Sequence, residues 1–367
     1  MKVLIINSVC GIRSTGRIAV SQASAFAAAG DTVRIAYGRE AVPEAALPYA
    51  VRIGSDASVR RNAMACRALD NDGFGAKAAT RKFLAWAEEY GPDLLWLHNL
   101  HGYYLNAEML FAWIKGRPGM EVRWTLHDCW AFTGHCSYFT FAGCGKWKTA
   151  CGNCPQKREY PASLLLDRSR RNFERKRAAF TGVPNMKLVT PSRWLKDLVG
   201  QSFLREYSVE VVHNTVDGEV FRPTPGDVRQ RLGIGERKMI LGVAAQWQPS
   251  KGYGDFFNLA DRIPPDTVIV LAGVTEKQKA ELKPNMIGIG RTNSARELAE
   301  LYTAADVFFN PTYEDNYPTV NLEAAGCGTP VITYGAGGSG ESVPEDRVFA
   351  PGDLDGALSK MLEILEK

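Results

Sequence analysis

Three features are missing from this sequence: a long apolar run, a large excess of one charge, and an internal repeat. No uninterrupted apolar stretch reaches the length that spans a membrane, and residues 1–7 suit a buried first strand rather than a signal segment. The net charge of +4 and the pI near 8.5 do not indicate nucleic acid binding. We therefore expect a cytoplasmic globular protein with no nucleic acid partner.

Two common phosphate-binding loops are also absent from the first strand-to-helix turn, residues 11–17. The turn lacks the G-x-G-x-x-G fingerprint of dinucleotide binding, and it has Arg17 and Ile18 where a nucleoside triphosphate loop needs lysine and then serine or threonine. It still offers backbone N–H groups and polar or charged neighbours around Gly16. We interpret it as a candidate ligand loop, the alternative being an ordinary strand-to-helix turn.

The hydrophobic pattern predicts an α/β protein with two Rossmann-like domains. The length of 367 residues exceeds that of a usual single core, and β-branched apolar runs alternate with helical patterns, which indicates parallel strands joined by crossover helices. We expect domains over 1–195 and 196–350, a cysteine-rich insert over 129–160, and a terminal helix over 351–367 that packs back on the first domain. The predicted strands are 2–7, 33–37, 94–98, 122–127 and 187–192, then 239–245, 267–272, 307–310 and 331–334.

The segment 310–332 carries the richest chemistry. Asp315 lies in a loop that runs into a short helix carrying Glu323, and seven residues separate the two acids. Pro318 suits a first helical position, and a helix start offers unpaired N–H groups and a positive dipole end, so an anion could bind there. Such a pair of acids suits hydroxyl recognition around a bound diphosphate, although on its own it is a weak signal and could be an incidental part of a helix cap.

This segment resembles the donor-site signature of the large family-4 retaining glycosyltransferases. The likeness rests on an acid, seven residues and a glutamate, followed by Ala-x-x-Cys-Gly-Thr-Pro-Val-Ile, and on the flanking segments 297–311 and 335–341. It implies the GT-B fold, in which two Rossmann-like domains face a cleft, and the transfer of a sugar from a nucleotide with retention of configuration. It also implies that catalysis needs no metal cofactor.

The same resemblance implies roles for residues of the second domain. Residues 242–252 resemble the family's first strand-loop segment, where an arginine and a lysine five residues apart neutralise the diphosphate. Lys251 occupies the lysine position, but Gln246 occupies the arginine position, and we expect Arg291 to supply the missing charge. Glu323 would bind the ribose. The expected donor-binding residues are Gly16, Gln246, Lys251, Arg291, Glu314, Asp315, Asn316, Tyr317, Pro318, Thr319 and Glu323.

Polar residues also follow two predicted strands of the first domain, where open α/β sheets bind ligands. The resemblance implies that His127 lies beside the transferred sugar, although a single histidine is more often structural. Asp128 either fixes the imidazole tautomer or binds the acceptor hydroxyl. The expected catalytic residues are His127, Asp128, Lys251 and Asp315. The expected acceptor-binding residues are His98, Asn99, His101 and Tyr103.

Eight cysteines in a cytoplasmic chain favour metal binding or free thiols over disulfides. Cys136, Cys144, Cys151 and Cys154 share a segment with little regular period. The last two form a C-x-x-C half of a zinc knuckle, whereas the first two are separated by seven residues. A structural zinc site, reduced thiols and disulfides all stay open as interpretations.

The segment from His127 through the C-G-N-C-P motif is similar to bacterial glycosyltransferases of capsule, exopolysaccharide and colanic acid synthesis. This similarity implies a UDP- or GDP-sugar donor and a glycan or undecaprenyl-diphosphate-linked acceptor. The basic amphipathic pattern over 167–177 predicts a helix that rests on anionic headgroups of the inner membrane, with a solvated face as the alternative. Two rival functions are a nucleotide-sugar 2-epimerase, which needs no acceptor, and a non-catalytic binding protein, which Gln246 favours.

Overall fold

The computed structural model describes residues 1–366, which fold into two compact units. The first unit is Met1–His213 and contains a seven-stranded sheet, and the second begins at Asn214 and contains a six-stranded sheet. Every strand pair in both sheets is parallel. The predicted α/β class with two parallel sheets is therefore confirmed.

The first sheet has the strand order β3-β2-β1-β4-β5-β6-β7. Its strands are β1 Lys2–Asn7, β2 Thr32–Tyr37, β3 Ala50–Arg52, β4 Leu94–Leu97, β5 Glu121–Thr125, β6 Met186–Thr190 and β7 Val209–Val211. The helices of this unit are α1 Arg13–Ala28, α2 Asp56–Leu69, α3 Lys77–Tyr90, α4 Ala107–Lys115, α5 Ser169–Phe180 and α6 Arg193–Gln201.

The second sheet has the order β10-β9-β8-β11-β12-β13. Its strands are β8 Lys238–Val243, β9 Thr267–Ala272, β10 Met286–Ile289, β11 Val307–Asn310, β12 Val331–Tyr334 and β13 Val348–Phe349. The helices of this unit are α7 Val228–Arg231, α8 Tyr253–Ala260, α9 Glu276–Lys279, α10 Ala295–Ala304, α11 Thr319–Gly326 and α12 Leu354–Leu365.

Both faces of each sheet are buried, which explains why the strands are apolar almost throughout. In β1, Leu4 and Ile6 pack into one hydrophobic cluster while Val3 and Ile5 pack into another, because successive side chains point to opposite faces. In β8, Ile240 and Leu241 divide between two clusters in the same way. This double burial is the ordinary condition of a parallel sheet covered by crossover helices.

Two local expectations were wrong. Residues 187–192 are not the last strand of the first unit, because Val209–Val211 pairs in parallel with β6 and extends the sheet by one more strand. Helix α1 begins at Arg13, so most of the turn predicted over residues 11–17 is already helical. In both cases the local sequence pattern was too short to predict the extra strand β7 or the first residues of α1.

The insert is held together by aromatic packing. Trp147 stacks on Phe139 with ring centroids 4.7 Å apart and lies 5.3 Å from Phe132, and all three side chains are buried. At the other end of the chain, α12 packs on α8 and on strands β11 to β13 of its own unit. Its contact with the first domain stays a prediction. None of the helices in residues 1–366 combines the length and apolar character needed to cross a bilayer.

Candidate active site

Each sheet reverses its strand order at one point. The first sheet is built outward from β1 to β3 and then returns to β4 on the other side of β1, and the second is built outward from β8 to β10 before returning to β11. Ligands of open α/β sheets bind at the carboxyl ends of the strands that flank such a reversal. The loops after β1 and β4, and those after β8 and β11, are therefore the places to look for a site.

In the first unit, His98 follows β4 and His127 follows the neighbouring strand β5. The two rings are nearly parallel, with their planes 16° apart and their centroids 5.2 Å apart, and His98 Nδ1 lies 2.9 Å from His127 Nε2. His98 Nε2 lies 2.9 Å from Gln22 Oε1 of α1. The amide oxygen can only accept, so His98 donates from Nε2, and its Nδ1 accepts a hydrogen bond from His127 Nε2. These two hydrogen bonds therefore place the proton of the neutral His127 ring on Nε2.

Burial keeps both of these imidazoles neutral. It lowers the pKa of His127 to about 4, with a smaller lowering by the charge of His101 that Asp128 opposes. Burial and the neighbouring His127 hold the pKa of His98 well below its usual range. Because both ring nitrogens of the buried His98 are engaged, the geometry favours a role for His98 in orienting His127 over direct contact with an acceptor.

The stability of the protein should therefore fall in acid through these two histidines. An unfolded histidine titrates near 6.5, so below that pH the unfolded chain binds protons that the folded chain excludes, and the free energy of unfolding falls by about 1.4 kcal/mol per pH unit for each such group. For His127 the loss continues down to about pH 4. Urea unfolding of His127→Gln should show a shallower dependence between these pH values. The matched control is the exposed His213→Gln, and equal slopes for all three proteins would contradict the buried neutral state.

A second pair, His101 and Asp128, consists of two groups that favour each other's charged form. His101 Nε2 lies 2.8 Å from Asp128 Oδ2, and its Nδ1 lies 3.0 Å from Tyr160 Oη. Burial opposes charge on His101, but Asp128, by charge and hydrogen bond, and then Asp72 raise its pKa. Burial also opposes charge on Asp128, yet His101 and the Trp130 N–H lower its pKa. The structure thus gives Asp128 a hydrogen bond with His101.

Two buried ionisable groups that influence the pKa of His101 were not predicted from the sequence. Asp72 accepts hydrogen bonds from the N–H groups of Gly102 and Tyr103 at 3.3 Å, and burial raises its pKa. Lys176 donates to Trp130 O at 2.7 Å and lies 3.5 Å from the centre of the Trp130 ring, and burial lowers its pKa to about 8. No local sequence pattern predicts these contacts, because Asp72 lies in the turn between α2 and α3 and Lys176 lies in α5, far from their partners along the chain.

The remaining predicted residues of the first unit lie at the same edge of the sheet. Asn99 donates its N–H to Asn7 Oδ1 at 3.3 Å and accepts from Tyr104 Oη at 2.8 Å. Tyr103 has a left-handed backbone with φ of 71°. Gly16 is buried in α1, where a Cβ would lie 3.1 Å from Val9, so the helix start packs closely on the loop after β1. The structure therefore gathers these predicted residues around one sheet edge.

In the second unit, Lys251 and Asp315 form an ion pair at the carboxyl ends of β8 and β11. Lys251 Nζ donates to Asp315 Oδ2 at 2.6 Å and to Glu314 O at 3.0 Å. Asp315 Oδ1 also accepts the N–H of Asn316 at 2.9 Å, and Glu314 is buried. The predicted cation and the predicted acids thus occupy one small area.

Close backbone contacts hold this area in shape. Tyr313 donates its N–H to Ser250 O at 2.9 Å, and a Cβ on Gly252, which has φ of 70°, would lie 2.1 Å from Pro311 O. Gly337 has φ of 63°, and a Cβ there would lie 1.9 Å from Asp315 O. Only glycine fits these two positions, because any side chain would push the loops apart.

Glu323 is buried about one turn inside α11. Its side chain is 2% exposed, and its Oε2 accepts a hydrogen bond from Tyr302 Oη at 3.2 Å. Pro318 is the N-cap and Thr319 is the first helical residue. The helix therefore begins one residue later than predicted, since Pro318 was expected at its first position. The carbonyl of Tyr317 accepts from Asn214 Nδ2 at 3.0 Å. The helix therefore begins where the sequence predicted an anion site, directly after Asn316 and Tyr317.

A buried polar network fixes α11 against the two neighbouring strands. Asn310 Nδ2 donates to Asn321 Oδ1 at 2.8 Å, and Asn321 Nδ2 donates to Ser342 Oγ at 2.9 Å. Thr333 Oγ1 lies 2.7 Å from Ser339 Oγ. This network was not predicted from the sequence, although polar residues at or near the ends of two adjacent parallel strands could have indicated it. It sets the position of the loop 335–342 beside Asp315.

Gln246, at the family's arginine position, and Arg291, its expected replacement, follow strands that are not neighbours in the sheet. Gln246 is exposed in the loop after β8. Arg291 is exposed after β10, the edge strand, with β9 between β10 and β8. Both follow the carboxyl ends of their strands, and the replacement of the missing charge by Arg291 stays a prediction.

Four of the five cysteines of the insert line one pocket together with His135 and Trp147, and they are Cys136, Cys144, Cys151 and Cys154. A hydrogen bond between the Cys136 and Cys154 thiols lowers the pKa of Cys154 to about 7, helped by His135, and raises that of Cys136. None of the eight cysteines, all of which lie within the described residues, forms a disulfide. Within residues 1–366, no three histidine, cysteine or acidic side chains are arranged as a group that could hold a metal ion. The zinc site stays a prediction.

Comparison with known proteins supports the glycosyltransferase resemblance. Residues 226–367, which lie in the second unit, match the family described as glycosyl transferases group 1. The chain is 25% identical over 309 residues to a protein named as a colanic acid biosynthesis glycosyl transferase, WcaC, from Escherichia coli strain K12, and the match covers 80% of this chain and 72% of that protein. Matches to further relatives span only 44% to 61% of their length.

Solved structures share the fold over the whole chain. Sucrose-phosphate synthase from Thermosynechococcus elongatus is similar with a TM-score of 0.68 at 15% identity, covering 100% of this chain and 90% of that one. Anabaena HepE in complex with UDP-glucose is similar with a TM-score of 0.63 at 14% identity and the same coverage of both chains. At such identities the likeness shows the fold alone, and it confirms the predicted GT-B fold.

Proposed function

We propose that this protein transfers a hexosyl unit from a UDP- or GDP-sugar to a glycan or an undecaprenyl-diphosphate-linked acceptor, in the assembly of a bacterial surface polysaccharide. The main observation behind this proposal is in the second unit, where Lys251 pairs with Asp315 in the loop that leads into α11, and α11 carries the buried Glu323. The similarity to a colanic acid biosynthesis protein, and to a structure solved in complex with UDP-glucose, supports the proposal. The proposed location is the cytoplasm, at the inner face of the membrane.

The proposed chemistry is charge stabilisation of a departing nucleoside diphosphate. As the glycosyl–phosphate bond breaks, negative charge grows on the diphosphate, and preorganised cations and N–H groups stabilise it in the transition state. Lys251, Arg291 and the backbone N–H groups at the start of α11 and in the loop 337–339 would supply this stabilisation. No divalent metal is then needed, and turnover should persist in a chelating buffer.

On the acceptor side, we propose that the neutral His127 lies beside the reacting sugar. Its tautomer is set by the hydrogen bond to His98, so its orientation does not depend on the substrate. Glu323 would bind the ribose, and Asp315 with Glu314 the hexose. Retention of configuration by attack from the side of the leaving group is part of this proposal, and the product's anomeric configuration, read by NMR, tests it.

The first experiment is a thermal-shift screen against UDP-, GDP- and dTDP-sugars and the free nucleotides. A ligand that binds only the folded state must raise the melting temperature. We expect one nucleotide series to give a shift, which fixes the base and directs the search for an acceptor. A flat response to all of them would contradict the proposed donor class.

One observation favours a different function. Gln246 occupies the place of the family's diphosphate-binding arginine and is exposed, so a domain that binds a nucleotide-sugar without turning it over would tolerate this residue. Such a module would give the same thermal shift but no transfer product. A nucleotide-sugar 2-epimerase would convert the donor with no acceptor present. Chromatography of the donor after incubation with the protein alone, and then with acceptor, separates the three functions.

A further inference from the structure

The exposed apolar side chains of the first unit are concentrated in one place. Of the ten large hydrophobic residues exposed among residues 1–366, five belong to helix α2 or to the segment Leu164–Leu166. They are Met64, Leu69, Leu164, Leu165 and Leu166, and Leu165 has 71% of its surface exposed. Exposed apolar residues scattered singly are normal, whereas a group of them marks an interaction surface.

This group is built into the fold. Leu164 donates its N–H to Arg67 O at 2.7 Å, and Leu166 donates to Ala68 O at 3.2 Å, so the leucine segment is fastened to the last turn of α2. Asp70, which ends α2 with a left-handed backbone, accepts the N–H of Arg168 at 2.7 Å. The leucines are therefore displayed on a backbone held at both ends, between the end of α2 and the start of α5.

Positive charge flanks the apolar group. Arg60, Arg61 and Arg67 are exposed on α2, within one turn of Met64, and Arg170 and Arg171 are exposed at the start of α5. The acids nearby include Asp167, whose carboxylate accepts N–H groups from Cys154 and Ser169 and is thus engaged with the backbone. Glu174 is exposed further along α5. The surface has the composition of segments that lie at an anionic lipid interface, with apolar side chains beside arginines.

We propose that Met64, Leu69 and Leu164–Leu166 form a docking surface for an anionic lipid bilayer, with the leucines at the boundary of headgroups and acyl chains and the arginines on the phosphates. A second copy of the chain fits less well, because a symmetric contact here would bring like charges together. The inference rests on the proposed function, since a lipid-linked acceptor must be reached at a membrane. Binding to lipid itself requires neither donor nor turnover.

Vesicle sedimentation of the full chain tests the proposal. Wild type should bind vesicles of phosphatidylcholine with phosphatidylglycerol more strongly than vesicles of phosphatidylcholine alone, and added salt should weaken the difference. The triple variant L164S/L165S/L166S should lower the partition coefficient by at least about tenfold, because binding scales with the apolar area inserted. These side chains are exposed, so the melting temperature should not change.

Two variants control for the loss of apolar surface. L164M/L165M/L166M keeps the apolar character and should retain vesicle binding, and Leu47→Ser removes a leucine that is 56% exposed elsewhere in the first unit and should also retain it. The double variant R67Q/R171Q should weaken binding to the anionic vesicles in particular.

Three results would overturn the inference. The first is equal vesicle binding by wild type and the triple serine variant. The second is no binding of wild type to either kind of vesicle. The third is that wild type binds no lipid but self-associates in light scattering, and that the serine variant abolishes this self-association. The last result would assign the surface to a second copy. Vesicle binding without any nucleotide-induced thermal shift would instead reject the proposed function and leave the docking surface standing.

Discussion

Replacing Glu323 by glutamine is expected to weaken nucleotide-sugar binding by about ten- to a hundredfold. The carboxylate is 2% exposed, and a hydrogen bond from a sugar hydroxyl to a charged group contributes about 1.5–3 kcal/mol. Glutamine keeps the shape of the side chain and its bond with Tyr302 but removes the charge. Titration calorimetry with the nucleotide-sugar found in the thermal screen measures the effect.

Two further variants show whether the effect comes from ligand contact. Tyr302→Phe removes the hydrogen bond that Glu323 accepts inside the protein and leaves the acid in place, so most of the affinity should remain. Glu236→Gln makes the same chemical change at an exposed position of the second unit and should have no effect. Wild-type affinity in Glu323→Gln would show that this acid does not bind the donor.

Replacing Lys251 by alanine is expected to lower kcat by about 10²- to 10³-fold with a smaller change in KM. Loss of one preorganised group that stabilises developing charge costs roughly 2.7–4 kcal/mol of transition-state stabilisation. The fold should survive, because Lys251 is partly exposed and a pair of this kind contributes no more than about 1 kcal/mol. Steady-state kinetics at saturating donor measures the change.

The ion pair with Asp315 provides an internal test of this role. Asp315→Asn breaks the same pair but leaves the lysine charge, so it should mainly raise the KM for the donor rather than reproduce the loss in kcat. Lys283→Ala removes a lysine of the same unit with similar exposure, paired with Asp261, and should leave kinetics unchanged. If Lys251→Ala and Asp315→Asn behaved alike, the lysine would act only by positioning Asp315.

The donor half of the candidate site could be predicted because most of its residues are close in sequence. Asp315, the helix start and Glu323 lie within one loop and helix, and the order of strand, loop and helix follows from local hydrophobic periodicity. The acceptor half was predicted less well. His127 was identified, but its partner His98 follows another strand and is bonded in turn to Gln22 of α1, and the hydrogen bond between Asp128 and His101 was not foreseen.

By itself the sequence determined the α/β class, the positions of most strands and the chemistry of the loop before α11, since these depend on residues that are neighbours along the chain. Only the tertiary structure decided which distant groups meet. Lys251 pairs with Asp315, which lies 64 positions further along the chain. Leu164 is hydrogen-bonded to Arg67 of α2, nearly a hundred positions before it. Such contacts follow from strand order and crossover packing, and no local pattern encodes them.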